Sequence, residues 1–397
     1  MQPWPGSMVS LDVGEVFVRS APAAPGAEPA LLVHGLGGSA LNWTDLMGLL
    51  SESAEGQAEG AQATDAQATD ARAAEARAAE ARAAEARAAD PLPLACEALD
   101  LPGFGYSPPP ADADYSVDAH AAAVVALIEH RGNWPVHLVG NSLGGAISTR
   151  VAARRPDLVR TLTLISPALP DLRPRLLTAR LALVAMPGVG RWLLTKMIAM
   201  PPEQRTEASI AELYADPSRL RPERRAEAIA EVGRRDALEY STDALLGSAR
   251  ALVAEYTKPG PASLWHDAAL VTAPTLLIYG SHDRLVNPAM AGRAARTFRD
   301  GRAVVLPRIG HVAMMERPDL VAAEMREFLH GIVRDKVARP DLAHTSAAEQ
   351  STGWASAPRA AGAGPGQGKL RARRGRSRPA VPGWALGLRG ALSRISR

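Results

Sequence analysis

Short apolar runs alternate with longer stretches of helical spacing over most of the chain. Leu31-Leu32-Val33, Ala95 to Leu99, Val136 to Val139, Leu162 to Ile165, Thr275 to Tyr279 and Ala303 to Leu306 are brief and apolar, which predicts strands. Leu41 to Leu50, Val117 to Glu129, Gly145 to Arg154, Ala289 to Phe298 and Leu320 to Leu329 have the length and spacing of helices. Strands that alternate with helices predict a mostly parallel sheet covered on both faces, an α/β fold. Pro170 to Ala273 interrupts the rhythm. It carries Ala, Arg, Glu and Leu at helical spacing, punctuated by Pro, with no convincing strand, so it predicts a helical insertion lying over the sheet.

Two segments show no core pattern at all. From Ala61 to Asp90 the chain repeats in blocks of five, AQATD and then ARAAE or ARAAD. Alanine and the i, i+3 pairs Arg72–Glu75, Arg77–Glu80 and Arg82–Glu85 favour helix. A period of five nevertheless turns the polar residues around every side and leaves no apolar stripe. Residues 51–90 therefore read as a solvated low-complexity insertion in a surface loop. Residues 340–397, rich in Ala, Gly, Ser, Pro and Arg, read as a disordered tail. Trp384, Leu388, Leu392 and Ile395 offer a second reading of its end, a short amphipathic helix making a weak contact with anionic membrane.

Those segments also explain the charge. The chain of 397 residues has a net charge of +3, but the tail holds ten Lys and Arg against two acids, and 51–90 holds nine acids against four Arg. The remainder is neutral, so the basic balance is no argument for a nucleic-acid partner. The single Cys96 excludes an internal disulfide and a cysteine-rich metal module. Met1 to Ser20 lacks a basic start followed by an apolar run, and Leu176 to Met200 is broken by Arg180, Pro187, Arg191 and Lys196. A cytoplasmic location is the expectation, with residues 1–339 as the catalytic domain, 51–90 inserted in it and a cap at 170–273.

The chemistry concentrates in three strand ends. Val136 to Val139 runs into Gly140-Asn141-Ser142-Leu143-Gly144 and a helical stretch, the strand, G-x-S-x-G turn and helix of a nucleophile elbow. A serine hydroxyl needs a base, and the base needs an orienting carboxylate. Asp283 follows the strand that ends at Gly280, and His311 follows the strand that ends at Leu306. The order Ser142, Asp283, His311 is one of the known triad orders, and it differs from those of the two other common triads. Asp171 is the weaker alternative for the acid. His34-Gly35-Leu36-Gly37-Gly38-Ser39 follows the first predicted strand; the N–H groups of Leu36 and Leu143 are the candidate oxyanion hole. His34 itself reads as a loop-holding residue, and His282 as an exposed turn residue. No cofactor and no metal are called for.

On these motifs the chain resembles the α/β-hydrolase superfamily, core and helical cap together, over roughly residues 10–335. Asp100-Leu101-Pro102-Gly103-Phe104-Gly105-Tyr106-Ser107 is similar to a loop of its capped branches. Among subfamilies the meta-cleavage-product C–C hydrolases are the most similar, through Gly140-Asn141-Ser142 and the cap stretch Tyr214-Ala215-Asp216-Pro217-Ser218. Those enzymes usually carry Gly-Pro-Gly after His-Gly and Trp after the catalytic His, where this chain has Gly37-Gly38-Ser39 and Val312. Epoxide hydrolases and haloalkane dehalogenases share the layout but place Asp where Ser142 stands. The sequence thus leads to a serine hydrolase of small carboxylic esters or lactones. C–C hydrolysis of a dienoic keto acid is the alternative, and a noncatalytic ligand-binding protein the third reading. Substrate identity and oligomeric state stay open.

Overall fold

The computed structural model describes residues 2–51, 93–171 and 176–338. The repeat tract from 52 and the tail from 340 lie outside the described residues. Eight strands, β1 (Gly6–Leu11), β2 (Gly14–Ser20), β3 (Glu28–Val33), β4 (Leu94–Asp100), β5 (Val136–Asn141), β6 (Val159–Ile165), β7 (Thr275–Gly280) and β8 (Gly301–Leu306), form one sheet. Their order is β1-β2-β4-β3-β5-β6-β7-β8. β1 and β2 are antiparallel to each other, β2 is antiparallel to β4, and the other neighbours run parallel.

All six anticipated strands are present, and their apolar runs have a physical cause. Leu31 and Val33 point into one layer while Leu32 points into the other; Leu138 and Val139, and Leu277 with Leu276 and Ile278, divide in the same way. A strand covered on both faces needs every position apolar, and β5 and β7 are buried along their whole length. The hairpin β1–β2 escaped the sequence pattern because it is an edge. Most of its residues are exposed, and only alternate positions such as Val9, Val16 and Val18 are buried.

Helices cover both faces. α1 (Thr44–Ser51) and the long C-terminal helix Pro318–Ala338 pack Leu46, Leu50, Val321 and Met325 on one side. α2 (Val117–Arg131) and α3 (Leu143–Arg154) bury Val124, Leu127, Ile147 and Val151 on the other. Between β6 and β7 come α4 (Leu176–Ala185), α5 (Val189–Ile198), α6 (Pro202–Leu213), α7 (Pro222–Asp236), α8 (Ser241–Glu255) and α9 (Leu264–Leu270), with no strand among the described residues there. α9 joins the core layer through Leu264 and Ala268. Arg150 on α3, 1% exposed, binds Glu255 of α8 and Asp267 of α9, so one buried guanidinium ties the helix after Ser142 to both. α10 (Ala291–Thr297), α11 (Ala313–Glu316) and α12, the helix Pro318–Ala338, complete the chain order. Among the described residues, no helix is long and apolar enough to cross a membrane.

The strand order determines where a ligand crevice opens. β3 and β5 are neighbours, but the chain leaves β3 for β4 on one side and β5 for β6 on the other. The loops after the two strands diverge there, at a topological switch point.

Candidate active site

Ser142 sits at the end of β5 and at the N-cap of α3, with φ 53° and ψ −115°. That positive φ is strained for a residue with a side chain, and such strain persists only where the surroundings enforce it. The neighbours enforce it by contact. A Cβ on Gly140 would lie 2.4 Å from the Gly144 carbonyl oxygen, and one on Gly144 would lie 2.1 Å from that of Val33, so both positions require glycine. The half-buried Ser142 hydroxyl makes no capping hydrogen bond, unlike the usual N-cap serine.

His311 and Asp283 come together from two adjacent strand ends, after β8 and β7. His311 Nδ1 lies 2.8 Å from Asp283 Oδ2, and both side chains are buried. The other carboxylate oxygen, Oδ1, accepts the N–H groups of Leu285 at 2.8 Å and Val286 at 2.9 Å. Burial by itself would push the Asp283 carboxyl upward. The charge of His311, its hydrogen bond and the Val286 N–H outweigh burial and hold Asp283 below the usual carboxylate range. The buried Ser166 hydroxyl also favours the ionised form, although its geometry falls short of a hydrogen bond. His311 Nδ1 is thus engaged, which turns Nε2 away from the acid. Asn141 links this pair to the elbow, since its Nδ2 donates to the Ile165 carbonyl at 3.0 Å and to the His311 carbonyl at 3.4 Å.

The loop after β3 lies against the serine. A Cβ on Gly35 would stand 3.1 Å from Ser142 Cβ, and Gly37 has φ +71°. Among the described residues, neither the Leu36 nor the Leu143 N–H donates a backbone hydrogen bond. His34 is fully buried, its Nε2 accepting the Leu101 N–H at 3.0 Å while Nδ1 lies 2.8 Å from the Gly35 carbonyl. Burial pushes its pKa down to about 4, partly opposed by the Gly35 bond, so the ring is neutral and both nitrogens hold loops. His282 is exposed, with its Nδ1 beside Ser281 Oγ. Asp171 lies in a crevice with Tyr256 and Tyr279, and the carboxylate described as accepting from His311 Nδ1 is that of Asp283.

Three residues support the site in roles the sequence did not reveal, although Asp100 belongs to the loop Asp100–Ser107 that carries the family resemblance. Glu316, 2% exposed, accepts four donors: Gly310 N at 2.7 Å and Ala215 N at 3.1 Å on Oε2, Asp216 N at 3.0 Å and Arg219 Nη1 at 2.9 Å on Oε1. It joins the residue before His311 to the cap. Asp100 accepts the N–H of Ala40 and of Tyr106, holding the Gly103-Phe104-Gly105 loop to the chain that follows the Leu36 loop. Arg235 of α7 donates to the Gly37 carbonyl at 2.7 Å. Each has at least one backbone partner distant in sequence, which no local pattern records. A cavity of about 280 Å3, lined by Ser20, Cys96, Glu97 and Arg131 among others, opens at the opposite, N-terminal ends of the strands and touches none of these groups.

A sequence family described as alpha/beta hydrolase fold matches residues 92–318. The chain is 28% identical over 239 residues to haloalkane dehalogenase 2 of Mycobacterium tuberculosis, spanning 58% of this chain and 77% of that protein. It is 27% identical over 249 residues to a pimeloyl-[acyl-carrier protein] methyl ester esterase of Neisseria meningitidis, spanning 59% and 83%. Among solved structures, the 2-hydroxy-6-oxo-6-phenylhexa-2,4-dienoate hydrolase of Rhodococcus sp. strain RHA1 aligns with a TM-score of 0.58 at 19% identity, over 82% of this chain and 100% of that one. At that identity the likeness is one of fold.

Proposed function

The chain belongs to the alpha/beta hydrolase fold family, and from that premise we propose that it is a serine hydrolase of small carboxylic esters or lactones acting through an acyl-enzyme. The observation that carries the reading is Ser142, a serine held at positive φ with its hydroxyl uncommitted. The pair His311–Asp283 stands at the ends of β8 and β7, with β6 between them and the strand of Ser142. In the first half-reaction Ser142 Oγ attacks the ester carbonyl while His311 Nε2 takes its proton. The Leu36 and Leu143 N–H groups receive the developing oxyanion. Collapse expels the alcohol, which leaves with the proton from His311. Water then adds to the acyl-enzyme, His311 again taking the proton, and the acid departs with Ser142 restored. Asp283, ionised, holds the tautomer with hydrogen on Nδ1 and stabilises the imidazolium.

A serine rather than a carboxylate at the elbow is the reason to follow the esterase relative and not the dehalogenase. The test is a panel of p-nitrophenyl esters from acetate to palmitate, run beside a meta-cleavage dienoate. The expected outcome is turnover of at least one ester, lost by about 10³-fold or more in Ser142→Ala. Cleavage of the dienoate with every ester inert would replace this reading by C–C hydrolysis. Unimpaired esterase activity in the alanine variant would remove Ser142 from the chemistry.

A further inference from the structure

The C-terminal end of α7 puts two guanidiniums against the loops beside the candidate site. Side chains on successive helical residues point about 100° apart, and Arg234 and Arg235 divide accordingly. Arg234 donates to the Gly105 carbonyl at 2.5 Å, lies 4.2 Å from the centre of the Tyr106 ring and pairs with Glu231 through bonds of 2.7 and 2.8 Å. Arg235 donates from Nη1 to the Gly37 carbonyl at 2.7 Å. Its Nε and Nη2, the side-on fork of the guanidinium, donate to nothing among the described residues, and neither is sealed from solvent.

The nearby acids are already taken. Arg235 feels the charges of the carboxylates Glu231 and Asp236 and of the cations Arg205 and Arg234. Asp236 binds Arg205 of α6 through both oxygens, and Glu231 binds Arg234. Three guanidiniums thus meet two carboxylates, and Arg235 is the one left over. A cation in the last turn of a helix favours the macrodipole, but a surface position would give that benefit with full hydration. Arg235 is half-buried, and burial is the largest effect on its charge, holding its pKa below the ordinary guanidinium value against the pull of the two acids. A partly dehydrated charge with unused donors is costly until an anion meets it.

Its place says which anion. Arg235 Nη1 lies 3.8 Å from where a Gly37 Cβ would stand, and the Cβ position of Gly35, two residues earlier, is 3.1 Å from Ser142 Cβ. Extended chain covers about 3.5 Å per residue, so Gly37 lies within roughly 7 Å of Gly35. A substrate whose carbonyl sits at Ser142 brings a group a few carbons away to Arg235, and a planar fork of two N–H groups matches a carboxylate. We propose that Arg235 is a specificity-determining residue that receives a carboxylate on the substrate, so that the site takes hemiesters of short dicarboxylic acids in preference to neutral esters. The preference among esters rests on the proposed esterase reading, whereas the binding of the carboxylate does not.

p-Nitrophenyl hemisuccinate, hemiglutarate and hemiadipate, each run beside the neutral ester in which methyl replaces the carboxylate (butyrate, pentanoate and hexanoate), give a discrimination ratio in kcat/KM for each protein. The wild type favours at least one hemiester by about 10-fold or more, chiefly through KM. Arg235→Gln removes the charge and also releases Gly37, so both rates fall; the ratio, which a merely structural role would leave alone, falls by about 10- to 100-fold. Arg235→Lys supplies the charge without the fork and keeps part of the ratio, and it serves as the readout if Arg235→Gln does not fold. A wild-type ratio of one or less for all three pairs, or an unchanged ratio in the folded variant, would overturn the proposal. Calorimetric titration with glutarate repeats the test without turnover: Ser142→Ala binds it, and the double variant with Arg235→Gln, or with Arg235→Lys in its place, binds it more weakly. Equal binding by the two proteins, or none by either, overturns the carboxylate site; binding lost with Arg235 while every ester is inert leaves the site standing and removes the esterase reading alone.

Discussion

Substituting Glu316→Gln changes one atom and isolates the joint between the cap and the His311 loop. Each carboxylate oxygen accepts two donors, Gly310 N and Ala215 N on Oε2, Asp216 N and Arg219 Nη1 on Oε1. An amide has one oxygen, so in either flip its NH2 group faces two donors and two hydrogen bonds are lost. Bonds to a charged acceptor are worth about 1.5–3 kcal/mol each, and the two that survive weaken as the charge disappears. Arg219 is 24% exposed and recovers part of its loss from water. The net cost is about 3–4 kcal/mol, in line with the removal of one partner from a buried ion pair. With a urea slope of about 2–3 kcal/mol/M the midpoint falls by roughly 1 M or more. The same change loosens Gly310, next to His311, and a displacement of about 1 Å at a catalytic group costs on the order of 100-fold. Urea melts and steady-state kinetics on p-nitrophenyl acetate read both effects. The reasoning predicts a fall in kcat of about 10- to 100-fold with KM little changed. A variant with wild-type midpoint and wild-type kcat would show that the four contacts carry neither stability nor position.

Asp283→Asn should lower kcat by about 10³-fold or more without unfolding the protein, because the amide oxygen is claimed by Leu285 N and Val286 N and the NH2 then faces His311 Nδ1, imposing the wrong tautomer; near-wild-type turnover would refute the assignment. Since the folded pKa of Asp283 is lowered, its contribution to stability is intact above the ordinary carboxyl range and lost as pH falls through the lower folded value, so the thermal midpoints of wild type and Asp283→Asn should differ most near neutral pH and draw together in acid. Asp100 has the opposite sign: burial, only partly offset by the Ala40 and Tyr106 N–H groups, raises its pKa to about 6. The folded chain therefore binds more protons than the unfolded chain between the ordinary carboxyl range and about 6, and stability drops by about 3 kcal/mol as pH rises through that window. The thermal midpoint of the wild type should fall relative to that of Asp100→Asn as pH rises from acid to neutral, and parallel curves would contradict the shift.

Much of this architecture is written locally. β5, β7 and the elbow were legible because continuous burial demands continuous apolar residues and a sharp turn demands Gly140 and Gly144. Ser142, Asp283 and His311 were found as separate strand-end residues, and the structure places the last two 2.8 Å apart. The predicted helix 41–50 resolves into a 3-10 turn, Ala40–Trp43, and α1, and 289–298 likewise into Pro288–Met290 and α10, since hydrophobic spacing does not separate a tight turn from a helix start. What stayed hidden is long-range. The edge hairpin β1–β2 lacks a buried run, and Glu316, Asp100 and Arg235 derive their roles from backbone groups far along the chain. A charged residue on an ordinary helix looks the same in sequence whether water or a loop receives it.

The central claim is that Ser142 is the nucleophile, and peptide mass spectrometry after treatment with a fluorophosphonate tests it most directly. The account predicts a single stoichiometric phosphonyl adduct on the peptide containing Ser142, absent in Ser142→Ala and strongly slowed in His311→Ala. An adduct on another residue, or none in folded protein that hydrolyses esters, would contradict it.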